Sequence, residues 1–133
     1  MSIHEEISQH IDAVADDLLE ASHAIHAKPE LAFEEYFACE TLTQTLEKHG
    51  LNAKSDVFTL PTAFEANFNT DREGPTVALL AEYDALPGIG HACGHNIIAT
   101  SALGATLGLA AVAQQLPGKV RLLGTPAEEK GGG

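Results

Sequence analysis

The strongest constraint on the fold of this chain is a strand–loop–helix–strand pattern in its second half. A continuous apolar run, Thr76–Ala81, is followed by a Gly-rich loop and by a helix pattern over about Asn96–Gln115. Pro117-Gly118 ends that helix, and Lys119–Gly124 again has the composition of a strand. This order is that of a βαβ unit, whose two strands are parallel. We therefore predict a three-layer α/β/α fold, with helices on both sides of a mixed, mostly parallel sheet.

Two helices are expected in the first half of the chain. Apolar residues recur at spacings of three and four from Ser2 to about Ala27, which predicts one amphipathic helix that ends at Lys28-Pro29. A second helix is expected over about Phe33–Lys48, with Gly50 just beyond its end. Small residues crowd the later helix at 96–115, so that helix can lie very close to a sheet or another helix.

Strand patterns follow the second helix. Asp56–Leu60 and Ala63–Phe68 alternate apolar and polar residues, as half-buried strands do. Asp71–Gly74 is expected to form the turn of a hairpin, and Thr76–Ala81 suits a central strand covered on both faces. We find no internal repeat and no linker that marks a second domain, so one domain is predicted.

The composition excludes several classes of function. The chain has 133 residues and a formal net charge of −12, which argues against nucleic acid as a partner because phosphates need lysine and arginine. No segment approaches the length of a membrane-spanning helix, and the polar first residues are unlike a signal peptide. Two cysteines do not make a disulfide framework, and a reducing compartment suits a ligand thiol. The expected location is the cytoplasm, with no membrane partner.

The Gly-rich loop from Asp84 to His95 concentrates metal-ligand side chains. It offers the carboxylate of Asp84, the imidazoles of His91 and His95 and the thiol of Cys93. Thiolate and imidazole together suit zinc or a similar divalent metal, and the start of the following helix would favour ionisation of Cys93. The alternative is a small buried cysteine beside a histidine that caps the helix.

Two residues of this loop allow more than one role. His91 could shape the loop or touch a substrate. Asp84 could ligate a metal, orient a ligand histidine or form the turn that Asp-x-x-Pro-Gly favours; of the functional roles, orienting a histidine is the one we favour.

A second group of carboxylates, Glu128-Glu129, follows the last predicted strand. Because the carboxyl ends of parallel strands meet at one edge of the sheet, we expect this pair to approach the Asp84 loop. Adjacent side chains point apart in extended chain, which suits one carboxylate on a metal and its neighbour as a base. Two neighbouring glutamates are also common on ordinary surfaces.

The other histidines and cysteine are weaker candidates. His23 and His26 lie three apart on the first helix, a spacing that allows a ligand pair but is more typical of a polar face. Cys39 lies inside an amphipathic helix and is expected in the core.

Three segments in this order resemble the M20 family of metallopeptidases and amidohydrolases: His26–Leu31, Glu82–Asn96 and Thr125–Glu129. The resemblance covers nearly the whole chain and is closest to the aminoacylase-like, hippurate-hydrolase-like and aminobenzoyl-glutamate-hydrolase-like branch. It implies hydrolysis of amide bonds in N-acyl amino acids, small peptides or related conjugates, with one or two divalent metal ions, zinc or manganese above all.

The resemblance also implies roles for individual residues. Cys93, His95 and Glu129 would be metal ligands, Glu128 the general base, and Asp84 the carboxylate that orients a ligand. The branch usually has Asp after the Gly-His pair, where this chain has Asn96; that departure bears on the substrate rather than on the metal.

Family enzymes are more than twice as long as this chain. The resemblance therefore implies that residues 1–133 are the N-terminal part of an incomplete zinc-peptidase-like catalytic domain, without the lid domain that usually mediates dimerisation. Missing strands would leave an exposed sheet edge, so self-association into a homo-oligomer is possible.

Two alternatives to this hydrolase remain open. The first is a non-catalytic fragment or pseudoenzyme, with an incomplete metal site and a structural or partner-binding role. The second is a thiol hydrolase that uses Cys93 as nucleophile and His95 as base.

Overall fold

A computed structural model describes residues 1–132. In this part of the chain, four α-helices and four β-strands form one layer of helices on a mixed sheet. The elements are α1 (Ile3–Ala13), α2 (Ala15–Ala27), α3 (Tyr36–Lys48), β1 (Lys54–Val57), β2 (Leu60–Asn69), β3 (Thr76–Glu82), α4 (His95–Ala111) and β4 (Lys119–Thr125). Short 3-10 turns follow at Ala113–Gln115 and Glu128–Lys130.

The predicted βαβ unit is confirmed. The strand order is β1-β2-β4-β3, and β3 pairs with β4 in parallel, from Thr76 opposite Lys119 to Glu82 opposite Thr125. Helix α4 connects these two strands. The α/β class and the mixed sheet are therefore confirmed.

The other strand pairings are antiparallel. Strand β2 pairs with both β1 and β4 in this way. Within residues 1–132, parallel pairing is therefore confined to β3 and β4, whereas a mostly parallel sheet was predicted. The difference arises at Phe58-Thr59, inside the predicted strand Asp56–Leu60. Both residues have positive φ, 56° and 59°, and form a two-residue turn that places Val57 opposite Leu60. Such a turn joins neighbouring antiparallel strands directly.

The hairpin predicted at Asp71–Gly74 is wrong. Strands β2 and β3 flank that turn but do not pair, because β4 lies between them. The backbone around Arg72 instead bonds to the β4 side: Gly118 N donates to Arg72 O at 2.8 Å. Alternation along a strand predicts which residues are buried but does not identify the strand that pairs with it.

Strand β3 lies at the edge of the sheet described here, not at its centre. The helices pack on the face that carries Phe64 and Leu122. The opposite face carries Leu80, which is 57% exposed, and the ion pair between Glu65 and Arg121. Residues 1–132 therefore supply two layers of the three that were predicted.

The first predicted helix is two helices in the structure. It breaks at Val14, a core residue with φ −104° and ψ 6°. Helix α1 packs on α4, whereas α2 packs on both α3 and α4. Neither Gly nor Pro marks the break, so the apolar period runs through it.

Helix α3 begins three residues later than predicted. Phe33 is left-handed, with φ 67°, and the carboxylate of Glu30 accepts the N–H groups of Phe37 at 3.0 Å and Ala38 at 2.8 Å. A helix leaves its first N–H groups without partners inside the helix, and Glu30 satisfies two of them from outside.

The small residues of α4 have the predicted effect. A Cβ at Gly108 would lie 2.9 Å from Ile7 Cγ2 and 3.0 Å from Ile11 Cγ1, so α1 packs directly on the α4 backbone. Cys39 lies in the core, as predicted. Among residues 1–132, no helix is both long and apolar enough to cross a membrane.

Candidate metal centre

The loops after β3 and β4 meet at one edge of the sheet, as predicted. Asp84 follows β3, and its side chain is fully buried. Its Oδ1 accepts the N–H of Glu128 and its Oδ2 the N–H of Glu129, each at 3.1 Å. One buried carboxylate thus joins the two loops that carry the candidate ligands.

The same carboxylate contacts His95, the first residue of α4. Gly94 precedes it in the left-handed conformation, with φ 75°, and the imidazole is 3% exposed. His95 Nδ1 lies 3.1 Å from Asp84 Oδ1. Because an ionised carboxylate only accepts, this contact places a proton on Nδ1, so Nε2 is the nitrogen that can offer a lone pair to a metal.

Three carboxylates surround His95 Nε2. It lies 3.2 Å from Glu82, 3.4 Å from Glu129 and 3.6 Å from Glu128. Possible ligand atoms of Cys93, His95 and Glu129 all lie within 4.8 Å of one another, and those of Glu82, His95 and Glu128 form a second such group. Two overlapping groups of donor atoms therefore share one imidazole.

Glu82 was not predicted as a site residue. It lies at the end of β3, two positions before Asp84, and residues two apart in extended chain point to the same side. Counting back two positions from Asp84 along the extended chain would have identified Glu82. Burial raises the pKa of Glu82, and the nearby charges of Glu128 and Asp84 add to the rise, whereas His95 lowers it.

The expected activation of Cys93 by the helix start is wrong. The hydrogen bond to Glu129, followed by burial and by the charges of Glu129, Glu128 and Asp84, raises the pKa of the Cys93 thiol. Neighbouring negative charges disfavour the thiolate, which is itself negative.

Glu128 and Glu129 do not diverge as they would in extended chain. Ala127 is left-handed, with φ 58°, and a 3-10 turn begins at Glu128. The turn brings both carboxylates toward the same nitrogen of His95. Their side chains are 47% and 30% exposed, so Glu128 is the more open to solvent.

His91 lies outside both donor groups. Its two ring nitrogens are buried without a hydrogen-bond partner in the described part of the chain, and its ring stacks at 6.4 Å from that of His26. The pKa of His91 is lowered, first by burial and then by the neighbouring imidazoles. His23 and His26 are exposed on α2 and do not join the donor groups.

The departure at Asn96 has a structural explanation. Its amide nitrogen donates to Ser22 Oγ at 3.0 Å, and both residues are buried. The amide nitrogen also donates to the backbone oxygen of Ser22 at 3.4 Å, a bond that an ionised aspartate could not make. Asn96 therefore ties the start of α4 to α2.

Two further acidic residues support the loops, and the sequence reasoning did not single them out. The backbone oxygen of Glu30 accepts the N–H of Ala85 at 2.8 Å, next to Asp84. The carboxylate of Glu35 accepts the N–H of Ala127 at 2.8 Å, next to Glu128. Both contacts join segments that are distant in sequence, so no local pattern predicts them.

Comparisons with known proteins identify the family. A profile of the peptidase family M20/M25/M40 matches residues 78–133, which contain both ligand loops. The chain is 46% identical over 138 aligned positions to the Xaa-Arg dipeptidase of Mus musculus, an alignment that covers 95% of this chain and 32% of that protein. The chain belongs to the M20 peptidase family.

Other M20 relatives agree with this assignment. A p-aminobenzoyl-glutamate hydrolase polypeptide of Escherichia coli is 34% identical, over 94% of this chain and 31% of that protein. A dinuclear metal binding M20 peptidase of Bacillus subtilis superposes with a TM-score of 0.81 at 30% identity, over 89% of this chain and 36% of that one. This M20 chain therefore spans about a third of the length of the curated relatives it matches.

Proposed function

We propose that this chain contributes two loops, those after β3 and β4, to the active site of a metal-dependent hydrolase that cleaves amide bonds. The substrates would be N-acyl amino acids, small peptides or related conjugates. The observation that carries the proposal is the approach of Glu82, Glu128 and Glu129 to His95 Nε2 while Asp84 contacts Nδ1. Cys93 joins the same site, since its thiol lies within 4.8 Å of ligand atoms of His95 and Glu129. Within this proposal, residues 1–133 are the N-terminal part of the catalytic domain.

The donor set fits a divalent cation. A thiol, an imidazole nitrogen with a free lone pair and carboxylate oxygens are ligands of zinc, and the concentration of negative charge favours a cation. We assign Cys93, His95 and Glu129 as metal ligands. Glu82 lies beside the same nitrogen and is a further possible ligand. Because neutral His95 offers one lone pair, a second ion would take carboxylate ligands instead of sharing His95. One or two ions, zinc or manganese, would lower the pKa of a water molecule and polarise the amide carbonyl.

The remaining residues act on protons and orientation. Glu128 is the more exposed carboxylate of the pair, so it can reach a water molecule and a substrate. It would accept a proton as the water attacks the carbonyl carbon and would return it to the leaving amine nitrogen. Asp84 would hold the His95 ring in the orientation and tautomer that a metal ligand needs.

Loss of the proposed base tests the catalytic role. Glu128→Gln in the full-length protein is expected to lower the hydrolysis rate by about 10²–10⁴-fold, with Xaa-Arg dipeptides and p-aminobenzoyl-glutamate among the substrates. An unchanged rate would exclude Glu128 as the base.

Metal analysis separates the hydrolase from its alternatives. Stoichiometric zinc or manganese in the purified chain, lost on Cys93→Ser, supports the metal site. No bound metal would favour the non-catalytic fragment or pseudoenzyme. Hydrolysis that resists chelators would favour Cys93 as a nucleophile.

Location and assembly belong to the same proposal. A reducing compartment keeps Cys93 as a free thiol, and the cytoplasm provides one. The open sheet face with Leu80 favours a homo-oligomer, since exposed apolar surface at a sheet edge promotes pairing. Sedimentation analysis of wild type and Leu80→Lys tests this: equal, monomeric behaviour of both would exclude it.

A further inference from the structure

We propose that Glu35 is a positioning residue that holds the loop after β4, and with it the carboxylates of Glu128 and Glu129, in place beside His95. This role rests on the function proposed above, because it matters only if those carboxylates bind a metal or move a proton.

Glu35 is a buried acid with one defined partner. Its side chain lies at the N-terminus of α3 and is 0% exposed. Oε2 accepts the N–H of Ala127 at 2.8 Å. No group among residues 1–132 donates to its Oε1. A carboxyl group fully removed from water is costly, so its retention at this position points to a specific task.

The partner residue is the point at which the β4 loop changes direction. Ala127 is itself fully buried and left-handed, with φ 58°, which is unfavourable for a residue with a Cβ. A conformation of this kind persists where its surroundings hold it. The bond to Glu35 is the side-chain contact that does so at the Ala127 amide.

Two buried carboxylates accept hydrogen bonds from the backbone N–H groups of this loop. Glu35 takes the N–H of Ala127, and Asp84 takes those of Glu128 and Glu129. Three consecutive N–H groups are thereby aimed at buried carboxylates, and the side chains of Glu128 and Glu129 are left to face His95. Asp84 also contacts His95, whereas the Glu35 carboxylate is hydrogen-bonded to the Ala127 amide, so it acts on the ligands through the backbone.

The segment around Glu35 braces the same loop at a second point. A Cβ at Gly132 would overlap the ring of Phe33, so the backbone after Glu129 packs directly on that ring. Phe33 is left-handed, with φ 67°. Residues 33–35 therefore contact both ends of the 127–132 segment.

The experiment compares Glu35→Ala with Glu35→Gln. Glu35→Ala removes the acceptor for Ala127, and we expect zinc or manganese affinity, measured by calorimetry, to fall about 10- to 100-fold. Glu35→Gln keeps an acceptor oxygen of the same reach, so we expect affinity close to wild type. Glu34→Ala, at an exposed neighbour, is the matched control and should leave affinity unchanged.

Thermal unfolding separates positioning from general support of the fold. If Glu35 positions ligands, the rise in Tm on adding metal shrinks in Glu35→Ala and is retained in Glu35→Gln. Equal affinity and an equal metal-induced rise in wild type and Glu35→Ala would overturn the proposal. So would a loss in Glu35→Gln as large as that in Glu35→Ala.

Two further outcomes remain decisive. If Glu35→Ala does not fold, Glu35→Asp, which withdraws the acceptor by one methylene, is expected to weaken metal binding; wild-type affinity there would overturn the proposal. If wild type binds no metal, the proposed function fails by itself. Hydrogen exchange at the Ala127 amide then still reports on Glu35, and the same exchange rate in wild type and Glu35→Ala would exclude any hold on the loop.

Discussion

Asp84 Oδ1 lies 3.1 Å from His95 Nδ1 and also accepts the N–H of Glu128. The side chain that orients the imidazole of His95 therefore also holds the backbone of the loop that carries Glu128. Coupling of this kind explains how two loops more than thirty positions apart in sequence place their donor atoms within 4.8 Å of one another.

Asp84→Asn is expected to lower both the affinity for metal and the stability of the fold. The amide has one acceptor oxygen and one donor group, so it cannot accept from His95 Nδ1 and from both loop N–H groups. We expect metal affinity to fall about 10- to 100-fold. The free energy of unfolding should fall by about 1–3 kcal/mol, since a buried donor loses its partner. Calorimetry and urea unfolding measure the two effects, with exposed Asp71→Asn as the control; wild-type values for Asp84→Asn would contradict the coupling.

Thiol labelling should distinguish the two cysteines. Cys93 is exposed, whereas Cys39 is buried, and burial raises the pKa of Cys39 to about 11. Because the thiolate is the reactive form, a chromogenic disulfide should react with one thiol per folded chain. Zinc should slow that reaction if Cys93 is a ligand. Cys39→Ala should label like wild type; rapid labelling of Cys39, or no protection by zinc, would be the contrary result.

Gly124→Ala should destabilise the sheet beneath the site. A Cβ at Gly124 in β4 would overlap the ring of Phe64, which is fully buried and stacked on Tyr83 with centroids 5.8 Å apart. Overpacking of this kind costs about 1–3 kcal/mol of unfolding free energy.

Gly104→Ala is the matched comparison for Gly124→Ala. Its Cβ would lie 3.0 Å from the tip of Leu18 and at an ordinary contact distance, 3.9 Å, from Ile11 Cγ2, and an alanine is favoured over glycine inside a helix. We expect little change in urea unfolding. Equal effects of the two substitutions would show that the Phe64 contact relaxes without cost.

The pH dependence of stability should contain a contribution from Glu35. Burial raises the pKa of Glu35 above its ordinary value of 4.5, and the charge of Asp84 adds to the rise. The folded state therefore binds the proton more tightly than the unfolded state does. This contribution to stability is fully present below 4.5 and is lost as the pH rises through the folded-state pKa.

Glu35→Gln does not titrate, so it should lack this loss. The unfolding free energy of wild type should decline relative to Glu35→Gln as the pH rises, and the difference should level off once Glu35 is ionised. Urea unfolding across the range from about pH 4 to about pH 8 measures it. Glu34→Gln, which is exposed, should track wild type, and parallel curves for all three proteins would refute the assignment.

Much of the fold follows from local patterns. The βαβ unit, the close packing of another element on the small residues of α4 and the core position of Cys39 were predicted, because each depends on residue period or size. The break at Val14 and the turn at Phe58-Thr59 were not, because no Gly or Pro marks either point. The predicted pairing of β2 with β3 was wrong for a different reason: the pattern of a strand does not identify the strand that pairs with it.

For the site, the sequence by itself determined the kinds of donor atom and the two loops that carry them, since Cys93, His95 and the Glu128-Glu129 pair follow recognisable elements. Only the tertiary structure decided that Glu82 faces the same nitrogen as that pair, that Asp84 bonds to both loops and that Glu35 supports the loop after β4. The physical reason is burial. A buried carboxylate and a buried N–H must find each other across the fold, and their sequence separation, 92 positions for Glu35 and Ala127, leaves no local trace.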